Sequence, residues 1–325
     1  MQIDHGGPDA LGVPRWDFST NANACGPCPM ALAALQQADP RHYPDPAYAA
    51  LRELLAAFHS VALERIVFAA SASEFIGRFT AASVRESAQT VWLPALAYGD
   101  YARAAAAWRL SRVDDPVQAD LRWLCEPSSP LGGSEPMAAQ LAVQGSVTVL
   151  DRAYEPLRLS GAGSFDEDAL QSLWQLWSPN KALGLTGVRG AYAIAPVNGL
   201  EMADKLGAMA PSWPLGAHGV AMLEAWVLPD IQAWLAQSRT QLQLWKAAQI
   251  EGLQALGWTC LPSDTPFFCA KSAQPVNVGA LRAAGIKLRD TRSLGMPGHW
   301  RISVQAPEAQ SDLFKALTAQ QEMSQ

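Results

Sequence analysis

The sequence has no run of lysine and arginine and no long hydrophobic stretch, and both absences restrict its function. Lys and Arg total 24 residues against 30 Asp and Glu, so the formal net charge is -6. Proteins that bind nucleic acid or anionic membranes present a basic surface, which this composition does not offer. No window approaches the roughly 20 apolar residues of a membrane span, and residues 1–5 lack the basic start of a signal peptide. We therefore expect a cytoplasmic protein that binds neither nucleic acid nor membranes.

Cysteine is also scarce. The five cysteines are odd in number and three of them lie far apart, which does not suggest a disulfide framework, and we expect no metal site. Cys25 and Cys28 form a Cys-Gly-Pro-Cys sequence, which is typical of dithiol redox centres when a buried strand precedes it. A helix with proline in its first turn is predicted after the pair, but residues 19–23 before it are polar turn material. Redox chemistry is therefore disfavoured.

The chain is long enough for one large domain with a smaller partner, since it has 325 residues of which 49% are hydrophobic. Up to about Trp213, helical patterns alternate with short apolar strands. These strands are predicted at residues 91–94, 123–125, 146–151, 173–177 and 191–195. The alternation predicts an α/β domain with a mainly parallel central sheet.

The pattern changes in the last third of the chain, which predicts a smaller α+β domain. A long amphipathic segment at residues 228–256 leads into this part. Strands are then predicted at 258–261, 267–270 and 300–304, with a helix near 278–284. We assign residues 1–25 to an N-terminal arm that packs with the small domain, residues 26–227 to the large domain and residues 228–325 to the small C-terminal domain.

Polar residues follow several of the predicted strands, where ligands bind in open α/β sheets. Asp151 ends one strand, and Ser178 and Lys181 follow the next one along the chain. Arg189 lies eight residues beyond Lys181. The turn of small residues that opens an earlier predicted helix consists of Ser71, Ala72 and Ser73.

This set of residues suits pyridoxal phosphate. A lysine amine forms a Schiff base with its aldehyde, and a carboxylate beside the ring nitrogen keeps that nitrogen protonated; Lys181 and Asp151 fit these roles. Backbone N–H groups at the helix start near residues 71–73 would hold the phosphate, with Ser178 and Arg189 adding a hydroxyl and a charged fork. Taken singly, each residue also has an ordinary structural explanation. A lysine in such a loop is usually a surface residue, an aspartate at a strand end is often a helix cap, and an arginine can form a surface ion pair. Their order and spacing carry the prediction.

The stretch at residues 178–192, SPNKALGLTGVRGAY, resembles the S-x-x-K-x-x-G-x-x-G-x-R-x-G-[FY] signature of fold type I pyridoxal phosphate enzymes, the aspartate aminotransferase superfamily. HGG at residues 5–7, DFSTNAN at 17–23 and YPDP at 43–46 are most similar to the threonine phosphate decarboxylases of cobalamin biosynthesis. Histidinol phosphate aminotransferases are the near relatives of that group. The resemblance extends from about residue 5 to 304. It implies an aspartate aminotransferase-like fold with a mainly parallel sheet in the large domain.

The resemblance implies further residues around the cofactor. Tyr98 would stack on the pyridine ring, with Tyr101 as the alternative. Tyr154 would hydrogen-bond the phenolic oxygen of the ring, beside Ser129, which stands where the family has an asparagine. Tyr43 would reach the cofactor phosphate of the opposite subunit, which implies a homodimer with shared active sites.

The resemblance also implies residues that bind the substrate. Arg301 matches the arginine that binds the substrate carboxylate through a bidentate pair. His5 is the candidate for the substrate phosphate, and Arg289 is a second one. These residues imply a small phosphorylated amino acid as the substrate.

The sequence departs from the family pattern at several positions. The family loop P-N-N-P-T-G reads PSSPLG at residues 127–132, the usual N-G reads Ala70-Ser71, and the usual D-E-A reads Asp151-Arg152-Ala153. We expect cofactor binding to survive these changes. The family run N-P-x-G-P-P reads NACGPC at residues 23–28, so Cys28 stands in for a proline in an ordinary chain turn.

The activity that this resemblance implies is decarboxylation of L-threonine phosphate to 1-amino-2-propanol phosphate, with Lys181, Asp151 and Tyr98 as catalytic residues. The bond that stands perpendicular to the conjugated ring is the one that breaks. If Arg301 holds the carboxylate out of plane, carbon dioxide leaves and Lys181 or a water protonates the carbanion. Two alternatives are an aminotransferase of the histidinol phosphate type and a catalytically inactive binding protein on the same fold.

Overall fold

The computed structural model describes residues 6–137, 141 and 146–322, which form three sheets surrounded by helices. The strands, in chain order, are β1 (Trp16–Asp17), β2 (Ile66–Ala69), β3 (Thr90–Trp92), β4 (Ser111–Arg112), β5 (Leu121–Cys125), β6 (Val147–Asp151), β7 (Trp174–Trp177), β8 (Ala191–Ile194), β9 (Trp258–Cys260), β10 (Phe267–Ser272), β11 (Ile286–Lys287), β12 (Arg289–Asp290) and β13 (Trp300–Ser303).

Helices alternate with these strands. The α-helices are α1 (Pro29–Gln37), α2 (Ala49–His59), α3 (Ala72–Arg85), α4 (Gly99–Ala107), α5 (Glu167–Gln171), α6 (Leu200–Ala208), α7 (Ala217–Trp226), α8 (Pro229–Ala255), α9 (Val278–Ala283) and α10 (Pro307–Glu322). Within the described ranges, no helix combines the length and the hydrophobicity that crossing a bilayer requires.

The large sheet has the strand order β2-β8-β7-β6-β5-β3-β4. β8 runs antiparallel to both of its neighbours, and the other adjacent pairs are parallel. The predicted α/β class with a mainly parallel sheet is therefore confirmed. Because β5, β6 and β7 point the same way, Cys125, Asp151 and Trp177 end at one edge of the sheet, where open α/β sheets bind their ligands.

Helices cover both faces of this sheet, which is why its strands are apolar along their whole length. All five residues of β5 and all four of β2 are buried. Successive residues of β2 point to opposite faces: Phe68 packs in the cluster that contains α2 and α7, and Val67 packs against α3 and α4. Each large apolar side chain buried in this way contributes about 1.5–3 kcal/mol.

The last third of the chain forms a four-stranded antiparallel sheet in the order β12-β13-β10-β9. The 27-residue helix α8 precedes it and begins at Pro229, a position where proline loses no helical hydrogen bond. The N-terminal arm joins this part of the molecule, because β1 pairs with β11 and Ser303 donates its N–H to the Phe18 carbonyl oxygen at 2.9 Å. The domain limits at 1–25, 26–227 and 228–325 stay a prediction.

Candidate active site

One cavity lies at the edge of the large sheet where β5, β6 and β7 end. The residues that the sequence analysis singled out and that line this cavity are Ser71, Ala72, Ser73, Tyr98, Ser129, Asp151, Tyr154, Ser178, Lys181 and Arg189. They come from widely separated parts of the chain, and the parallel strands bring them together. The cavity is therefore the candidate active site.

Asp151 lines the cavity and carries its carboxylate. Its Oδ2 accepts a hydrogen bond from the Tyr101 hydroxyl at 2.7 Å, and its Oδ1 accepts one from the Ala153 N–H at 2.9 Å. Burial raises the pKa of this carboxyl, while the Tyr101 hydrogen bond and the Lys181 charge oppose that rise. A buried carboxylate with two donors already on it is suited to pair with one more, such as a protonated ring nitrogen.

The position of Tyr101 separates the two tyrosine candidates. Tyr101 is fully buried, and its ring stacks on Trp123 with centroids 5.3 Å apart. It therefore donates its hydrogen bond to Asp151 from the interior of the protein. Tyr98 lines the cavity, and its hydroxyl lies 3.3 Å from the Ser73 hydroxyl. Tyr98 is thus the tyrosine placed to contact a ring in the cavity, and its stacking role stays a prediction.

The start of α3 also lines the cavity, through Ser71, Ala72 and Ser73. Ser71 caps this helix, its hydroxyl accepting a hydrogen bond from the Glu74 N–H at 3.1 Å. Backbone N–H groups in the first turn of a helix favour an anion. The Glu74 carboxylate does not cancel this effect, because it pairs with the buried guanidinium of Arg78 at 2.7 Å. Ser178 and Arg189 line the same cavity.

Lys181 lies in the turn after β7, residues 179–184, which we call the lysine turn. Its Nζ is 5.5 Å from the centroid of the Tyr154 ring. The N-terminal arm, which in the structure continues to Cys28 before α1, contacts this turn: the Asn23 N–H donates to the Lys181 carbonyl oxygen at 2.9 Å, and the Cys28 N–H donates to the Leu183 carbonyl oxygen at 2.8 Å. The Cys-Gly-Pro-Cys segment therefore supports the backbone that carries the lysine.

Two glycines make that contact possible. Gly184 has a φ of +68°, and a Cβ on it would lie 2.9 Å from the Cα of Gly26. Any side chain at residue 184 would therefore be strained and would also collide with the arm. The close approach explains why glycines stand at both positions.

The residues present fit pyridoxal phosphate. Ser178 Oγ and Asn180 Oδ1 are buried polar atoms with no hydrogen-bond partner among the described residues, and both side chains line the cavity. Buried polar groups left open in this way are suited to bind a ligand. The lining combines the carboxylate of Asp151, the amine of Lys181 and a helix start, a set that matches a ring with a basic nitrogen, an aldehyde and a phosphate.

Of the predicted substrate residues, Arg301 contacts the wall of the cavity. Arg301 donates from Nη1 to the Ser129 hydroxyl at 3.3 Å and from Nη2 to the Ser19 carbonyl oxygen at 3.0 Å. Arg289 stands directly opposite Arg301 in the β12–β13 pair, is buried, and donates to the Ser293 hydroxyl at 3.0 Å. His5 lies outside the described residues.

Tyr43 is far more exposed than the other candidates. It is 77% exposed and stacks on Trp213 with centroids 4.2 Å apart. It does not belong to the described residues that line the cavity of its own chain. This placement leaves its predicted contact with the opposite subunit as a prediction.

Several residues at or beside the cavity were not among the predicted site residues. Cys125 and Asn180 line it, and Asn21 donates from Nδ2 to the Tyr154 hydroxyl at 3.4 Å. Cys125 ends a predicted strand and pairs in register with Asp151, so its position at the carboxyl end was a usable signal. Burial raises the pKa of the Cys125 thiol, as it does for Cys25, which disfavours thiolate chemistry at both.

A larger cleft beside β2 is a weaker candidate. Two arginines on its wall are engaged by the protein itself: Arg78 donates to the carbonyl oxygens of Phe68 and Leu206 at 2.7 Å each, and Arg52 donates to a strand carbonyl. None of the described residues that line this cleft is a lysine. It therefore lacks the amine that the cofactor chemistry needs.

The sequence profile of the family described as "Aminotransferase class I and II" matches residues 123–318, which include Asp151, Lys181 and Arg301. The chain belongs to the aminotransferase class I and II family. It is therefore a pyridoxal phosphate-dependent enzyme, and pyridoxal phosphate is its cofactor.

Curated relatives align with nearly the whole chain. A histidinol-phosphate aminotransferase from Bradyrhizobium diazoefficiens is 25% identical over 322 residues, covering 92% of this chain and 91% of its own. Another from Burkholderia mallei is 26% identical over 327 residues, covering 92% and 90%.

Solved structures support the fold. The histidinol-phosphate aminotransferase from Sinorhizobium meliloti, in complex with pyridoxal-5'-phosphate, matches with a TM-score of 0.78 and 20% identity over 97% of this chain and 94% of that one. The L-threonine-O-3-phosphate decarboxylase from Porphyromonas gingivalis matches with a TM-score of 0.76 and 21% identity over 94% and 99%. At these sequence identities both matches show a shared fold and nothing more specific.

The preference for threonine phosphate decarboxylation is wrong. Several curated histidinol-phosphate aminotransferases align with this chain at 25–26% identity, which supports the alternative named above. The short N-terminal runs that resembled the decarboxylases do not outweigh alignments that cover 92% of the chain. The lyase activity and the place in cobalamin biosynthesis are withdrawn with it.

Proposed function

We propose that this protein is a pyridoxal phosphate-dependent aminotransferase of the histidinol phosphate type. It would transfer the amino group of a phosphorylated amine to an oxo acid, so that the amine leaves as a carbonyl compound and the oxo acid as an amino acid. The observation that carries this proposal is the alignment of histidinol-phosphate aminotransferases over 92% of the chain. The cavity that contains Lys181 and Asp151 supports it.

The residues of the cavity divide the work between binding and proton transfer. When bound, pyridoxal phosphate supplies an electron-accepting ring and an aldehyde that combines with amines. Asp151, which accepts hydrogen bonds from Tyr101 and the Ala153 N–H, would keep a positive charge on the ring nitrogen. The start of α3, Ser178 and Arg189 would hold the phosphate.

Lys181 is the proposed general base. Its Nζ removes the proton from the carbon that bears the amino group of the donor, and returns a proton to complete the transfer. The backbone bonds from Asn23 and Cys28 keep the lysine turn in place during this exchange. Tyr98 and Tyr154, which both line the cavity, would orient the cofactor ring beside Lys181.

Arg301 is the proposed anion site of the substrate. Its two Nη atoms contact only neutral oxygens, of Ser129 and Ser19, and its Nε is buried without a partner among the described residues. A guanidinium in this state is suited to bind a carboxylate or a phosphate. The same residue would thus serve the phosphate of the donor and the carboxylate of the oxo acid.

We also propose a homodimer with shared active sites. Tyr43 is exposed and lies outside the cavity of its own chain, and its ring is held by Trp213. A second copy that brings its own Tyr43 to this cavity would add a hydroxyl at the phosphate end. The cytoplasmic location stays a prediction.

The test is a product analysis with two donors. Cofactor-loaded protein is incubated with L-histidinol phosphate and 2-oxoglutarate, and in parallel with L-threonine phosphate, and products are identified by mass spectrometry. We expect glutamate and the carbonyl product of histidinol phosphate, no carbon dioxide from threonine phosphate, and no product with Lys181→Ala. Carbon dioxide release without an acceptor, or activity that survives Lys181→Ala, would contradict the proposal.

A further inference from the structure

The arm residues 19–28 link the small sheet to the lysine turn. The Ser19 carbonyl oxygen accepts from Arg301 at 3.0 Å, and the Asn23 N–H donates to the Lys181 carbonyl oxygen at 2.9 Å. Asn21 lies between these two contacts and is 3% exposed. A polar side chain at this depth, between two proposed functional residues, requires a physical explanation.

The side-chain amide of Asn21 faces Tyr154. Its Nδ2 donates to the Tyr154 hydroxyl oxygen at 3.4 Å. Tyr154 lines the cavity, and Lys181 Nζ lies 5.5 Å from its ring centroid. A hydroxyl that accepts one hydrogen bond directs its own hydrogen elsewhere, because the oxygen lone pairs and the O–H bond point in different directions.

The other amide atom of Asn21 has no partner. Its Oδ1 is buried, and no donor among residues 6–137, 141 and 146–322 reaches it. An unsatisfied buried acceptor is costly, and a side chain that only filled space here would avoid this cost. The amide is therefore better explained by a role in the active site than by packing.

We propose that Asn21 is a positioning residue of the active site, whose amide N–H donates to the Tyr154 hydroxyl so that the Tyr154 hydrogen is available to the cofactor's phenolic oxygen. This inference rests on the proposed role of Tyr154. It makes the N-terminal arm part of the machinery that sets the electronic state of the bound cofactor.

The consequence is a shift in the titration of lysine-bound cofactor. A hydrogen bond to the phenolic oxygen stabilises its negative charge, most strongly when the adjacent nitrogen has lost its proton. It therefore lowers the pH at which the visible band of the bound cofactor changes. Losing the Tyr154 donor raises this midpoint by about one unit, the value for one hydrogen bond to a charged group.

The experiment is a spectrophotometric pH titration of cofactor-loaded protein without substrate. Tyr154→Phe should raise the midpoint by about one unit, and Asn21→Leu should raise it by roughly half as much, since the hydroxyl is kept but no longer oriented. Adding Asn21→Leu to Tyr154→Phe should change nothing more, because the amide acts through the hydroxyl.

A second variant covers the case that Asn21→Leu does not fold. Asn21→Asp has nearly the same shape, but its carboxylate only accepts, so it draws the Tyr154 hydrogen away from the cofactor. Asn21→Asp should raise the midpoint of the titration more when Tyr154 is present than in the Tyr154→Phe protein, where only the charge of the new carboxylate acts. Cys25→Ser, on the same arm with its sulfur 3.9 Å from the Ser238 carbonyl oxygen, is the control and should leave the midpoint unchanged.

The possible failures are distinguishable. This inference would be overturned if Asn21→Leu left the midpoint unchanged. It would also be overturned if the substitutions of Asn21 shifted the midpoint equally in the Tyr154→Phe protein. The proposed function would instead be contradicted if the wild-type protein showed no visible band of bound cofactor, or if that band persisted in the Lys181→Ala protein. A visible band unmoved by Tyr154→Phe would show that Tyr154 lacks the role on which the inference rests.

Discussion

At the scale of single residues, Asp151 shows how function opposes stability. Its carboxyl is 4% exposed, and burial raises its pKa although Tyr101 and Ala153 both donate to it. Keeping this group ionised in the cofactor-free protein costs free energy, which a cation on the cofactor ring would offset. The charge of Asp151 thus lowers the stability of the cofactor-free protein, and its proposed role is to pair with the ring nitrogen of the bound cofactor.

Replacing Asp151 by Asn should therefore separate the two effects. Because the folded-state pKa is raised, the folded state loses stability relative to the unfolded state as pH rises above the ordinary aspartate range. We expect the cofactor-free Asp151→Asn protein to be the more stable one at pH 7, with an advantage that disappears as pH falls toward 4. Urea unfolding at several pH values measures this; a variant less stable at pH 7 would contradict it.

The same substitution should damage the reaction. An amide cannot hold a proton on the ring nitrogen as a carboxylate does, so we expect kcat to fall about 100-fold or more. Tyr101→Phe is the matched variant, because it removes one hydrogen bond from Asp151 and leaves the charge. Its loss of kcat should be clearly smaller, and steady-state kinetics with histidinol phosphate compares the two. Equal losses would mean that the charge of Asp151 is not what matters.

At the scale of elements, the lysine turn depends on its contact with the arm. Gly184 has a positive φ, and the Gly26 Cα lies 2.9 Å from the point that a Cβ on Gly184 would occupy, so neither backbone nor space allows a side chain. The elements that bear the turn were predicted well, because hydrophobic runs and turn residues are local signals. The strand β2 was not among the predicted strands, since its four apolar residues continue into a run of small ones.

Gly184→Ala should destabilise the protein by about 1–3 kcal/mol, because it forces a left-handed conformation and a collision with the arm. Gly187→Ala, three residues along the same loop, is the control: no atom lies within 4 Å of its Cβ position and its φ is not positive. That control should change stability by less than about 0.5 kcal/mol. Urea unfolding tests both, and similar losses in the two variants would refute the close-approach argument.

At the scale of the whole molecule, two parts of the chain meet at the cavity. Ser129 lines the cavity and contacts Arg301 of the small sheet, and the Cys269 thiol lies 3.4 Å from the Pro130 carbonyl oxygen. The arm contacts both Arg301 and the lysine turn, because the Ser19 carbonyl oxygen accepts from Arg301 and the Asn23 N–H donates to the Lys181 carbonyl oxygen. Arg301, the proposed anion site, is thus linked to the lysine turn through the backbone of residues 19–23.

The proposed dimer makes a prediction at this scale. Tyr43→Ala should weaken cofactor binding about tenfold, the effect of losing one hydrogen bond to a phosphate. Mixing it with inactive Lys181→Ala protein and allowing subunits to exchange should restore activity at limiting cofactor. One site of each hybrid then combines an intact Lys181 with an intact Tyr43 from the other copy. No recovery, with hybrids present by mass spectrometry, would place Tyr43 in its own site or outside any site.

The fold class and the cofactor could be predicted from hydrophobic periodicity and from the spacing of Asp151, Ser178, Lys181 and Arg189, which are properties of short stretches of chain. The resemblance to a known family added Tyr98, Ser129 and Tyr154 to the predicted cavity. The tertiary structure was needed to show that Tyr98 lines the cavity while Tyr101 donates to Asp151, and that Asn21 contacts Tyr154. The two tyrosines are close neighbours in the sequence, and Asn21 and Tyr154 are 133 positions apart, so these contacts depend on how the chain packs.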